Sequence, residues 1–180
     1  MIIRFLLLLV TGCCLGSYAI ADDAFYARAL GGWGKYDRGT SGAFSHGAGV
    51  GYNLNQNWGA GLFYHSTPWD IVRDGIKIYE NRTRAFGLEG DYYFSDSIKG
   101  ARLGLKIGWA SASFSAAVPS IPSGSLESDS YGNVTVGFTA GYEISLTDSL
   151  CAGIEGDYFG GFQGYGLQFF GLAGSVGLKF

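Results

Sequence analysis

From residue 22 onward the chain alternates apolar and polar residues in segments of about ten, and this period of two is its most constraining feature. Successive side chains of a β-strand point to opposite faces, so the alternation predicts strands rather than helices. After residue 22 there is no run approaching the roughly 18 consecutive apolar residues that a membrane-spanning helix needs. If this chain crosses a membrane, it must do so with strands.

The alternation predicts eight strands separated by turn and loop signals. They cover residues 24–34, 43–54, 57–66, 81–94, 101–114, 131–144, 149–159 and 167–180. Three connectors are short, and the two at residues 67–80 and 115–130 are long. Short turns at one end and longer loops at the other are typical of a transmembrane β-barrel.

The two faces of these strands differ in charge. One face carries bulky apolar side chains, among them Phe25, Trp33, Phe44, Val50, Leu62, Leu88, Ile107, Val136, Ile154 and Val176. The other carries glycines and nine charged residues, namely Arg28, Glu89, Asp91, Arg102, Lys106, Glu143, Glu155, Asp157 and Lys179. A lipid-facing Lys or Arg at the bilayer centre costs about 2 to 4 kcal/mol, whereas a soluble β-sandwich would turn its charges outward. The sorting predicts an all-β fold, an eight-stranded antiparallel up-and-down transmembrane β-barrel with these charges in its lumen.

The aromatic residues of the apolar face fall near strand ends. One group is Phe25, Tyr52, Trp58, Tyr92, Tyr142 and Phe180, and the other is Trp33, Phe44, Tyr64, Trp109, Tyr158 and Phe170. Amphipathic rings favour the headgroup zones of a bilayer. We therefore expect two aromatic girdles, one at each membrane boundary.

Residues 1–21 have the pattern of an export signal, with Arg4 before an apolar run and a small-x-small cleavage site at 19–21. The predicted domains are thus a signal peptide at 1–21 and a barrel at 22–180. An alternative is lipidation of Cys13, because residues 10–13 resemble a lipoprotein cleavage box. One cysteine, Cys151, and two scattered histidines then remain, which indicates neither a disulfide nor a metal site.

The nine lumen charges are nearly balanced in sign, and they are the strongest candidate for a functional site in the sequence. Glu89 and Asp91 are expected to neutralise Arg102 and Lys106 across the ladder of strands four and five. The two acidic pairs on separate strands, 89/91 and 155/157, would also suit cation binding or acid/base chemistry. Structural pairing is favoured, because side chains fill an eight-stranded interior and buried charges must pair.

The closing segment, residues 171–180, alternates, is rich in glycine and ends in an aromatic residue. With the export signal and the eight strands, it resembles the small outer-membrane barrels of the OmpA transmembrane-domain and OmpX/Ail type. The resemblance covers the whole mature chain and implies residence in the Gram-negative outer membrane. It also implies that Gly174, Val176, Leu178 and Phe180 form the signal read by the barrel-assembly machinery, after periplasmic chaperones have carried the chain.

The favoured function is a structural or surface-interaction role, in adhesion or defence, through the extracellular loops. The alternatives are a narrow solute channel and, less favoured, a lipid A-modifying enzyme. Deacylases on such barrels carry a His-x-Ser pair on one strand face, but Ser45-His46 and His65-Ser66 are adjacent in sequence and so straddle opposite faces. We therefore expect no aligned nucleophile and base, no catalytic residue and no cofactor.

The connectors at 67–80 and 115–130 are the expected sites for a host or surface ligand. Within the first, Asp74-Gly75 favours a hairpin turn, and Pro68 is expected to interrupt the strand ladder. Arg82 and Arg84 fall at the outer rim on the lipid face, where they would contact lipopolysaccharide phosphates or simply be solvated. The small net charge of −3, with no basic cluster, argues against a nucleic-acid partner.

Removal of Phe180 tests the assembly signal. We expect less inserted barrel and more precursor or periplasmic aggregate, because the last strand then lacks its terminal aromatic residue. Quantitative blotting of outer-membrane and periplasmic fractions measures this. If the truncated protein reached the outer membrane in wild-type yield, Phe180 would not be part of the assembly signal.

Overall fold

The computed structural model describes residues 25–37, 42–95, 100–116, 130–161 and 168–180. Its strands are β1 (Phe25–Tyr36), β2 (Ala43–Asn53), β3 (Trp58–Arg73), β4 (Ile76–Tyr93), β5 (Gly100–Ala116), β6 (Ser130–Ser145), β7 (Leu150–Gly161) and β8 (Gln168–Lys179). Each pairs antiparallel with the next, and β8 pairs with β1 to close the barrel. The predicted fold is confirmed. The predicted signal peptide and Cys13 lie outside the described residues.

The outward surface of the barrel is apolar. Leu62, Leu88, Ile107 and Val136 are consecutive partners across β3, β4, β5 and β6, and they form a continuous row around the wall. Three of them, Leu62, Leu88 and Ile107, are about half exposed to the surroundings. A wall of this kind fits hydrocarbon. Within the described residues, no helix has the length and apolarity of a membrane span.

The aromatic residues pair across strands near both ends of the wall. Phe25 packs against Tyr52 and Trp58 against Tyr92, each with ring centroids 5.0 Å apart, at the end that holds the β2–β3 turn. At the opposite end, Tyr158 and Phe170 lie 4.9 Å apart. Such cross-strand aromatic pairs stabilise neighbouring strands in register.

The expected long connector at 67–80 is wrong, because β3 and β4 continue through it. Only Asp74 and Gly75 connect them, with φ values of 53° and 76°, which is the conformation of a two-residue type I′ hairpin turn. The predicted turn dipeptide is therefore correct. The alternation past residue 66 is weak, and for this reason the sequence of residues 67–80 resembles that of a loop.

Pro68 does not interrupt the ladder as expected, since it pairs with Arg82 inside β3–β4. The β2–β3 ladder ends two residues before Pro68, with His46 opposite Ser66. Pro68 can occupy this place because proline is tolerated at strand edges, where its missing N–H is not needed. The irregularity in β3 falls instead between Ile71 and Val72.

One side of the barrel is taller than the other. Strands β3 to β6 contain 16 to 18 residues, whereas the other four contain 11 or 12. At about 3.4 Å per residue, the difference adds on the order of 17 Å of sheet. This projecting sheet is the outer part of β3–β6, carrying the Asp74-Gly75 turn. Most of the predicted 115–130 loop, residues 117–129, lies outside the described residues.

Two backbones approach closely where Gly87 faces Gly108 across β4 and β5. A Cβ on Gly87 would clash with the carbonyl oxygen of Ile107, and one on Gly108 with that of Phe86. Gly90, three residues along β4, is different, because the nearest atom to an added Cβ is the Gly59 oxygen at 4.0 Å. The strand spacing at this point therefore requires glycine on both sides.

Gly87→Ala should destabilise the barrel by about 1 to 3 kcal/mol, because the strands must move apart to admit the methyl group. Gly90→Ala is the matched control and should be neutral or slightly stabilising. Urea unfolding in detergent, followed by the shift in electrophoretic mobility between folded and boiled protein, measures both. Equal midpoints for the two variants would contradict the close approach.

Candidate functional site

The lumen holds all nine charged residues of the inward-facing set. Arg28, Glu89, Asp91, Arg102, Lys106, Glu143, Glu155, Asp157 and Lys179 are each at most 7% exposed. They come from β1, β4, β5, β6, β7 and β8. The period of two brings residues that are far apart in sequence into one enclosed volume, where each charge needs a partner.

Arg102 is the centre of this network. Its guanidinium contacts Asp91 Oδ1 at 2.9 Å and Glu143 Oε1 at 3.1 Å, and it also forms an ion pair with Glu155. The three carboxylates belong to β4, β6 and β7, so one cation ties three strands together across the lumen. The planar guanidinium, with five N–H donors, suits such multiple pairing.

Two further cations flank Arg102. Arg28 pairs with Glu89 and, at 3.5 Å, with Asp91 Oδ2, which links β1 to β4. Lys106 Nζ lies 2.6 Å from Asp157 Oδ1 and 3.7 Å from Glu155 Oε1. The hydroxyl of Thr139 donates a further hydrogen bond to Asp157.

The expected partners across β4 and β5 are only partly right. Asp91 does pair with Arg102, but Glu89 pairs with Arg28, and the ammonium group of Lys106 lies at Asp157 on β7. Glu89 and Lys106 are opposite each other in the backbone register, yet their charged ends reach other partners. Long side chains inside a narrow barrel reach across the lumen, so ladder register alone does not fix ion pairs.

An aromatic layer lies above the charged layer, toward the projecting sheet. It consists of Tyr36, Phe63, Trp69, Phe159 and Phe169, with Ala85. Lys106 joins the two layers, since its Nζ is 5.6 Å from the Phe63 ring centroid and 5.4 Å from that of Phe159. A cation over a ring face is attracted by the ring quadrupole.

The lower lumen is also filled. Tyr26, Tyr93 and Cys151 pack together, and the Tyr26 hydroxyl donates a hydrogen bond to Glu89. The cavity beside Arg28 and Glu143 has a volume of about 10 Å³. That is room for about one water molecule. Among the described residues, no group of His, Cys, Asp and Glu side chains has the arrangement of a metal site.

The expectation that no serine and histidine are aligned is wrong. Ser45 Oγ lies 2.6 Å from His65 Nε2 and 2.9 Å from Thr67 Oγ1, across β2 and β3. Adjacency in sequence gave no sign of this pair, because it forms between strands. Ser45 and His65 are buried, and His65 packs on Phe159 and Phe169, so the pair joins the strands where their ladder ends.

The projecting sheet carries exposed charges. Arg82 and Arg84 lie exposed on β4, and Lys77 contacts Glu80 Oε1 at 2.6 Å and Asp70 Oδ2 at 3.0 Å. The hydrogen bonds to Glu80 and Asp70 raise the pKa of Lys77, and the bond from Lys77 lowers the pKa of Glu80. Ion pairs this exposed add little to stability.

Three residues of the predicted assembly signal, Gly174, Val176 and Leu178, lie on β8, and Phe180 directly follows it. Val176 and Leu178 face Ala29 and Ala27 of β1, and Phe180 exchanges backbone hydrogen bonds with Phe25. The side chain of Phe180 is exposed on the outside of the barrel. Their role in assembly stays a prediction.

No family model matches the sequence, and no curated protein matches it either. Solved structures do match. Neisserial surface protein A has a TM-score of 0.64 at 15% identity, over 87% of this chain and 97% of that one. This chain shares the fold of the small outer-membrane barrels.

Two further structures carry the same fold. The attachment invasion locus protein Ail of Yersinia pestis, in complex with the heparin analogue sucrose octasulfate, has a TM-score of 0.59 at 13% identity, over 88% of this chain and 99% of that one. The N-terminal β-barrel domain of Pseudomonas aeruginosa OprF has a TM-score of 0.51 at 21% identity, over 88% and 98%. These matches show that the chain has the same architecture as the barrels that its sequence resembles.

Arg102→Met should destabilise the barrel by about 3 to 5 kcal/mol, because it leaves three buried carboxylates short of a cation. Adding Glu155→Gln should recover part of the loss, whereas adding Glu89→Gln should not, since Glu89 pairs with Arg28. Urea unfolding midpoints measure all three variants.

Lys77→Met is the matched control, because Lys77 also bridges two carboxylates but lies exposed. It should leave the midpoint unchanged. A stabilising effect of Arg102→Met would mean that Arg102 faces lipid, and rescue by Glu89→Gln alone would contradict the observed pairing.

Proposed function

We propose that this chain is an integral barrel of the Gram-negative outer membrane that acts at the cell surface, in adhesion or defence, through its projecting sheet. The observation that carries the proposal is the height of β3–β6. These strands extend on the order of 17 Å past the shorter side of the wall, which takes the Asp74-Gly75 turn clear of the apolar row. A barrel that served only to fill the membrane has no need of this extension.

The surface of the projecting sheet supports an interaction role. It presents Asp70, Lys77, Glu80, Arg82 and Arg84, in contrast to the apolar wall. Mixed charges on the hydrogen-bonded β3–β4 ladder of this sheet offer a partner directional contacts, and paired strands lose less conformational freedom on binding than an open loop would. Two of the matching structures have names that point the same way, a surface protein and an attachment invasion locus protein.

The membrane partners follow from the same surface. Lipid would cover the apolar wall, and Arg82 and Arg84 would meet lipopolysaccharide phosphates at the rim, where a guanidinium forms paired hydrogen bonds. The barrel-assembly machinery and periplasmic chaperones are the proposed partners during export. Neither a channel nor an enzyme is favoured, because the charged and aromatic layers fill the lumen and bury the Ser45–His65 pair.

Replacing residues 70–80 by Asn-Gly tests the proposal. Trp69 and Asn81 are ladder partners, so a two-residue turn between them keeps the register of the barrel. Bacteria that carry the wild-type protein should attach to host cells or survive in serum better than bacteria without it. The shortened variant should lose that advantage at equal outer-membrane abundance.

The control is replacement of Thr147-Asp148 by Asn-Gly in the β6–β7 turn, at the opposite end of the barrel. It should behave as wild type. Full attachment and serum survival by the shortened variant, or no advantage from the wild-type protein in either assay, would count against the proposed role.

A further inference from the structure

A groove of about 650 Å³ crosses the outer surface of the wall, over strands β4 to β8. One of its sides is a ladder row of bulky residues that are consecutive partners across β5, β6, β7 and β8, namely Leu105, Phe138, Tyr158 and Phe170. Four spacings between neighbouring strands, of about 4.8 Å each, make the groove on the order of 19 Å long. This length is comparable with the hydrocarbon of one bilayer leaflet, which is about 15 Å thick.

The floor of the groove consists of small residues, Gly90, Ala140 and Gly156. The described part of the barrel leaves room for a side chain at both glycines. A Cβ on Gly90 would have the Gly59 oxygen at 4.0 Å as its nearest contact, and one on Gly156 would have the Gly171 oxygen at 3.8 Å. Glycine inside a strand weakens it and often marks a place that another molecule approaches. The packing of the barrel therefore does not explain the open floor.

The lining of the groove suits an apolar ligand. Its two polar side chains, Thr139 and Asp157, are buried in the lumen, where they bind each other. The other lining residues are glycine, apolar or aromatic. The groove runs between the two aromatic ends of the wall, from Trp58 near the β2–β3 turn to Phe170 at the outer end. Hydrocarbon is the surrounding of a surface at this level.

A cation lies at the outer end of the groove. Lys35 of β1 is the ladder partner of Phe170 of β8, so it continues the bulky row past the groove. Lys35 is exposed, and it forms no ion pair with any described residue. At the other end, beside Trp58 and Tyr92, the described lining contains no cation. The groove is thus apolar along its length and positive at its outer end.

We propose that this groove binds one acyl chain of lipid A, with a phosphate of the same lipid at Lys35. Lipid A combines acyl chains with phosphates on its sugar headgroup, and it belongs to the outer leaflet. An acyl chain is flexible enough to follow the floor of the groove, and a lysine ammonium group binds phosphate as a point charge. A phospholipid of the inner leaflet would place its headgroup at the other end, where the lining has no cation.

The inference rests on one part of the proposed function, that the end of the barrel with the projecting sheet faces outward. It adds a lipid site on a different side of the barrel, because Lys35 lies three strands away from β4, which carries Arg82 and Arg84. The site includes none of residues 70–80. Replacing those residues should leave lipid A binding unchanged, so failure of attachment and failure of lipid binding are distinguishable.

The affinity test titrates lipid A into the full barrel in polyoxyethylene detergent micelles, and native mass spectrometry counts the bound lipid and gives the Kd. Lipid A without its phosphates is the second probe. We expect one tightly bound lipid A per barrel. The dephosphorylated form should bind about fivefold more weakly, because one cation near a lipid surface contributes roughly that factor.

Ala140→Leu combined with Gly156→Leu fills the groove and should weaken binding of both forms by at least about fivefold, because the chain loses its contacts with the floor. Lys35→Met should weaken binding of lipid A and leave binding of the dephosphorylated form unchanged. Ala48→Leu is the matched control, since Ala48 is exposed on β2 outside the groove, and it should keep the wild-type Kd.

A crosslink in living cells identifies the occupant. Benzoylphenylalanine in place of Phe138, in the bulky row, should give an adduct with the mass of lipid A after irradiation. The same residue in place of Phe86, which is equally exposed but outside the groove, is the control. Lys35→Met should reduce the adduct at position 138 and leave the one at position 86 unchanged.

Four results would overturn the proposal. The groove-filled barrel could keep the wild-type Kd, or lipid A with and without phosphates could bind equally well. Lys35→Met could bind both forms as the wild type does. The adduct at position 138 could be a phospholipid or a second copy of this chain, which would then be the occupant of the groove.

Discussion

The pairing of buried charge inside the lumen is the constraint on which the rest of this barrel depends. A strand that turns apolar side chains to hydrocarbon must turn its polar ones inward, into a space too narrow to hydrate them. Arg102 meets this requirement by contacting carboxylates of three strands at once. Removing a single member of such a network costs more than an exposed pair would, because the remaining charges stay buried.

The network also holds the taller side of the barrel in place. Asp91, Arg102, Lys106 and Glu143 are carried by β4, β5 and β6, three of the four strands that form the projecting sheet. Above them the aromatic layer excludes water, and Lys106 contacts both layers. A hairpin that extends from strands fixed in this way leaves the wall in a defined direction. The surface charges of the projecting sheet are then carried by strands that the buried ion pairs hold together.

Much of this arrangement could be predicted from the sequence, because the alternation of apolar and polar residues along a strand is a local property. The alternation around Leu88 and Glu89 is enough to predict that Leu88 faces outward and Glu89 inward. Eight alternating segments of this kind are compatible with few folds. The partners of Glu89 could not be predicted, since the choice between Lys106 beside it and Arg28 across the lumen depends on the curvature of the closed barrel. The Ser45–His65 pair could not be predicted either, because its two residues come from different strands.

The base of the hairpin shows a different limit of sequence reasoning. Pro68 read as the end of a strand, yet β3 passes through it because the β2 ladder has already ended. Where β2 parts from β3, a cavity of about 410 Å³ opens beside Pro68, Trp69 and Asp70. No β2 residue is paired with Pro68, so the N–H that proline lacks is not needed on that side. The pattern along one strand cannot show this, because it depends on where the neighbouring strand stops.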